Sequence, residues 1–156
     1  MGKMIFRLIA LFLLICGNSE AMIEKVLLTI DGLTSPYSII GVEEIVRPIP
    51  GVKNVQVWLA SSQALVIWDI RKPFTPDAFI NAFQNTPFQV TAITLDISGT
   101  IEPGDPMTLL STPDFTQFII DPKSKAFVEK LQNPFIIRAQ VKQTDQGIVL
   151  FDVTSP

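Results

Sequence analysis

The chain has 156 residues, 47% hydrophobic and 17% charged, with 12 basic and 15 acidic side chains, one cysteine and no histidine. That is a globular composition with room for one medium domain or two small ones, and it excludes a disordered chain. A formal charge of −3 and the absence of any basic run remove the electrostatic reason to bind nucleic acid.

The first element is a targeting segment. Lys3 and Arg7 flank the start of an apolar run, LIALFLLIC, that is too short to cross a bilayer. Ser19-Glu20-Ala21 then offers small residues at the two positions a signal peptidase reads. Residues 1–21 are expected to be a cleaved signal peptide, giving a secreted or periplasmic protein that starts at Met22. The alternative is a lipoprotein held to the membrane through Cys16, but the bulky Ile15 before it is a poor lipoprotein signal. Removing residues 1–21 takes away Lys3, Arg7 and Glu20 and leaves 10 basic and 14 acidic residues, a formal charge of −4.

The mature chain then has neither cysteine nor histidine, and its methionines are Met22 and Met107. Soft and borderline metals are held by thiolate, imidazole or thioether, so the expected metal and cofactor content is none. Nucleophilic catalysis with an imidazole base is excluded, and no Gly-rich phosphate loop is present. The chain reads as a non-enzyme. Glu43-Glu44 is its acidic pair, and neighbours on a helix point about 100° apart, which makes them a solvated face.

Along the chain, residues 24–31, EKVLLTID, read as a strand closed by Gly32. Ser35-Pro36 starts a helix, with Ser as N-cap and Pro in the first turn. Its stripe runs Ser38, Val42, Ile45 and Ile49. Pro48 and Pro50-Gly51 end it. VKNVQVWL (52–59) and ALVIWDI (64–70) form a hairpin across a polar turn at 60–63. Thr75-Pro76 starts a second helix, PDAFINAFQN, with Phe79, Ile80 and Phe83 on its buried face. FQVTAITLDI (88–97) is the fourth strand. The order βαββαβ is the split βαβ, or ferredoxin-like, plan.

Residues 24–97 resemble the heavy-metal-associated (HMA) domain family. The family motif G-M-T-C-x-x-C stands here as Gly32-Leu33-Thr34-Ser35-Pro36-Tyr37-Ser38. The run Gly51-Val52-Lys53-Asn54-Val55-Gln56-Val57 matches the family's hairpin, and Pro87-Phe88 replaces its late Gly-Tyr. The resemblance implies a ferredoxin-like fold and a heavy-metal (Cu, Zn or Hg) binding or carrier role. The degenerate positions Ser35 and Ser38 carry hydroxyls where that role needs thiolates.

Strand period 2 assigns Val26, Leu28, Ile30, Val55, Val57, Leu59, Ala64, Val66 and Trp68 to the helix-covered face. Leu27, Trp58, Leu65 and Ile67 fall on the opposite face. Apolar residues there mark either a partner-binding surface or a face covered by the rest of the chain.

Residues 98–156 carry turn signals at Glu102-Pro103-Gly104, Thr112-Pro113-Asp114 and Asp145-Gln146-Gly147. Short strands recur between them, with one helix expected at 125–132, and a single strand from Val90 to Ile101 would tie the halves together. This pattern resembles a small OB-fold β-barrel, which implies a small-ligand or oligosaccharide site. Phe115, Phe118 and Phe135 are expected core residues. The expected fold class is therefore α+β, with domains at 22–97 and 98–156. The expected function is protein–protein contact, with a protein partner or self-association, in metal transport or envelope assembly.

Overall fold

The computed structural model describes residues 22–102, 104, 106–111, 116–131 and 135–156. The expected signal segment with Cys16, the 112–114 turn and Phe115 lie outside the described residues. The fold is α+β. Strands β1 (Met22–Asp31), β2 (Val52–Trp58), β3 (Gln63–Trp68) and β4 (Gln89–Glu102) are interleaved with helices α1 (Pro36–Val46) and α2 (Pro76–Ala82). Strands β5 (Thr108–Ser111) and β6 (Thr116–Ile120), helix α3 (Pro122–Val128), then β7 (Phe135–Thr144) and β8 (Gly147–Thr154) follow. All eight strands join one sheet in the order β2-β3-β1-β4-β5-β6-β8-β7, and β7 returns to pair with β4.

The alternation read from the sequence is the alternation of burial. Val26, Leu28, Ile30, Val55, Val57, Ala64, Val66 and Trp68 are all buried. Leu59 is half-buried in the turn after β2. Helix α1 opens at Ser35-Pro36 and buries Ser38, Val42 and Val46, four residues apart, against the sheet. Ile45 is only half-buried beside that stripe, and Ile49 is buried just beyond the helix end. Helix α2 opens at Thr75-Pro76. It buries Pro76 and Phe79, with Phe83 following at its C-cap. The expectation for Ile80 is corrected: it is 46% exposed. In a helix of seven residues the i, i+3, i+7 line of Pro76, Phe79 and Phe83 meets the core, and i+4 falls off its edge. Phe79 joins Trp68 and Phe74 in an aromatic cluster with ring centroids 5.4–5.9 Å apart. The Trp68 indole N–H donates to the Lys72 carbonyl at 3.0 Å, so its one polar atom is satisfied.

Strand β4 extends beyond residues 88–97 and contains the whole of the expected joining strand from Val90 to Ile101. Its first part pairs with β1, from Asp31↔Gln89 to Met22↔Ser98. On its other edge Thr94–Gly99 pair with Gln140–Phe135 of β7. Its last residues, Thr100–Glu102, pair with β5. Then β5 pairs with β6, β6 runs parallel to β8, and β8 pairs with β7. The five strands β4, β5, β6, β8 and β7 thus form a closed ring of pairings. Leu109, Phe118, Ile137, Ala139 and Leu150 are fully buried inside it, and Phe135 nearly so. One apolar cluster runs from Val42 and Phe79 under the helices to these residues. The third helix begins at Pro122 and not at 125. Asp121 caps it, accepting from the Lys123 N–H at 3.2 Å, and the helix ends at Val128.

Two features fix the corner where β2 enters. Gly51 has φ +102°, and a Cβ there would overlap the Trp68 ring. Gly51→Ala is expected to cost at least about 2 kcal/mol, from a left-handed backbone and a displaced core ring, read as a lowered denaturant midpoint. Next to it, the Asp69 N–H donates to the Gly51 carbonyl at 2.7 Å. The Asp69 carboxylate accepts from the Arg71 side chain and backbone at 3.2 Å and lies 3.5 Å from the Lys53 ammonium. The Arg71 hydrogen bonds hold the Asp69 pKa down at about 2, below its ordinary 3.8. A depressed folded-state pKa stabilises above the unfolded value and loses that contribution as pH falls through the folded one. Asp69→Asn should therefore flatten the stability profile between pH about 4 and about 2 and leave its slope above pH 5 unchanged, as followed by urea melts.

Candidate functional site

The loop that carries the two serines is closed by hydrogen bonds. Gly32 turns the chain out of β1 with φ +96°. Ser38, in the first turn of α1, is buried, and its hydroxyl accepts from the backbone N–H groups of Thr34 and Ser35 at 3.4 Å each. The Ser35 and Ser38 hydroxyls lie 3.3 Å apart. The pair therefore satisfies backbone donors at a helix start, as a reciprocal cap does. Two neutral hydroxyls, one of them buried and already accepting twice, do not fit a thiophilic cation. Among the described residues no group of three His, Cys, Asp or Glu side chains could supply another donor set.

The sheet face turned away from α1 and α2 is different. Register places its side chains in rows across the strands. Gln56, Leu65, Leu27, Thr94 and Gln140 make one row; beside it Asn54 pairs with Ile67, and Lys25, Asp96 and Arg138 follow one another across β1, β4 and β7. Trp58 stands at the end of β2, opposite Gln63. The second half of the chain does not close over this face; β7 lies beside β4 and widens it. Trp58 is 37% and Ile67 36% exposed, while Leu27 and Leu65 are half-buried. Lys25, Leu27, Trp58, Gln63, Leu65, Thr94, Asp96 and Arg138 line a depression of about 230 Å³ on it.

At one side of the depression Asp96 and Arg138 form a two-toothed ion pair. The Arg138 Nε–H donates to Asp96 Oδ1 at 2.7 Å, and an Nη2–H donates to Oδ2 at 2.9 Å. This hydrogen bonding raises the Arg138 pKa further above its ordinary value. Asp96 is only 8% exposed, although it sits in the apolar strand AITLDI. The guanidinium side chain is 47% exposed. The pair joins β4 to β7 and so ties the two halves on the open face, as Leu95 and Ile97 tie them in the core.

The sequence places Trp58, Leu65, Ile67 and Leu27 on one face, and the structure brings them together there. It holds Ser35 and Ser38 apart from them, at the α1 loop. Reading the sequence missed Lys25, Thr94, Asp96 and Arg138. A charge at the outward parity of an apolar strand was the available signal, in TLDI and again in FIIRAQV. Compared with known proteins, no family model, no curated protein and no solved structure matches the chain.

Removing Arg138 would leave a nearly buried carboxylate without its partner. Breaking a fully buried pair costs about 3–5 kcal/mol. With the guanidinium half exposed to water, Arg138→Met should cost about 2 kcal/mol. The double variant Asp96→Asn/Arg138→Met should cost less than the two single changes added together, by a denaturation double-mutant cycle.

Proposed function

We propose that this chain is a non-enzymatic, exported protein-interaction module, with an HMA-like, ferredoxin-like first half and an OB-like β-barrel second half. It would act in metal transport or envelope assembly without carrying the metal itself. The βαββαβ order and the strand order β2-β3-β1-β4 support the first part of this reading. The five-strand ring, its parallel β6–β8 pair and a helix between β6 and β7 support the second. The hydrogen-bonded Ser35–Ser38 loop supports a scaffold role for a motif whose relatives use thiolates. Export rests on residues 1–21.

The single observation that carries the interaction reading is the uncovered sheet face with Trp58 and Ile67 exposed above Leu27 and Leu65. A lone two-layer sheet keeps its outer face polar. Apolar residues grouped around a depression there are what a docking partner would cover. The test is cross-linked co-purification from the producing cells with wild type and Trp58→Asp. The expected outcome is loss of a specific partner with an unchanged melting temperature. A variant that keeps its partner sinks the reading, and one that unfolds shows that Trp58 is packing; Ile67→Asp then repeats the test at a second site.

A further inference from the structure

We infer that the occupant of the open face is a polypeptide segment of a partner protein that places a carboxylate beside an apolar side chain, and not a second copy of this chain. The inference rests on the docking reading above. Two observations carry it, the apolar depression and the charge beside it.

Apolar side chains are exposed across the face. Trp58 and Ile67 each expose a little over a third of their surface, and Leu27 and Leu65 less. Met22 and Ile136, both registered against Ser98, add a further exposed row. Leu27, Leu65 and Trp58 line the depression of about 230 Å³, which has room for an apolar side chain of a partner.

The charged groups lining that depression are Lys25, Asp96 and Arg138, a net charge of +1 in a chain whose total is −3. Asp96 is nearly buried and committed to Arg138. It engages two of the five guanidinium N–H donors. The rest have no partner among the described residues, and the side chain is half exposed. The register puts Lys25 beside Asp96 on β4. Lys25 forms no ion pair within 4 Å among the described residues. The outward edge of this group is therefore cationic, in the same depression as Leu27 and Leu65. Two copies docked by this face would bring like charges together, which counts against self-association. A segment with Glu or Asp adjoining Leu or Phe meets both requirements at once.

The probes are acetyl-Leu-Glu-amide and its neutral isostere acetyl-Leu-Gln-amide, titrated into uniformly ¹⁵N-labelled protein. The chain has two tryptophans, so each indole N–H gives its own signal and Trp68, in the core, is the internal control. The expected result is saturable movement of the Trp58 indole signal with the Trp68 signal fixed. The Glu peptide should bind about fivefold more tightly than the Gln peptide, the size of an exposed charge pair. Lys25→Met should remove that preference while leaving the spectrum otherwise folded. Equal binding of the two peptides overturns the carboxylate assignment. No movement of Trp58, while Trp58→Asp still loses its partner in cells, overturns the segment and leaves the docking reading standing. A Trp58-dependent dimer in sedimentation overturns it in favour of a second copy.

Discussion

Strand β4 is paired on both edges over Thr94–Ser98, and that double pairing fixes the rest of the molecule. Leu95 and Ile97 are fully buried in the core shared by the helices and the strand ring. A slip of one residue against either β1 or β7 would turn both out to water and bury Thr94 and Asp96. The hydrophobic cost is a few kcal/mol for the two side chains, before the carboxylate is counted. The register is thus held from both sides by the same two residues. Their neighbours on the opposite face inherit that rigidity, which is why Asp96 meets Arg138 with two bonds and not one.

The serine loop shows a different economy of groups. A helix start leaves backbone N–H groups without partners. Here Ser38 Oγ accepts from the two N–H groups just before the helix, those of Thr34 and the N-cap Ser35, and the Ser35 hydroxyl lies against it. The residue spacing that would let two thiolates converge on one ion also lets two hydroxyls converge on each other. In that arrangement they lend structure to the loop and no electron pairs to a soft metal. The proposed scaffold role follows from donor chemistry together with the way those donors are occupied.

The sequence was informative where pattern is local. The alternation of VLLTI, VQVW and ALVIW placed the first sheet's core residues, and Ser35-Pro36 and Thr75-Pro76 placed two helix starts. The same device at Asp121-Pro122 went unread, so the third helix was placed three residues late. Ile80 is exposed because, one residue past Phe79, it falls off the edge of the line that Pro76, Phe79 and Phe83 turn to the core. The β4–β7 pairing joins residues about forty apart in the chain, and nothing local to TLDI or FIIRAQV encodes their register. The ion pair therefore became visible only with the fold, although each of its charges stood at an outward parity in an apolar strand.

How the open face can be used is further limited by the edge beside it. Because β7 returns to β4, β2 is the one described strand paired on a single side. An exposed edge invites another strand to add to it. Here β2 carries an irregular register between Val52 and Asn54 and an exposed Lys53 between them, paired with Asp69. A bulge and a lysine are what discourage strand addition. Trp58 ends the same strand but projects from the face and not along the edge. Approach from above, with side chains meeting Trp58, Leu65 and the Arg138 edge, is then the mode these strands leave open.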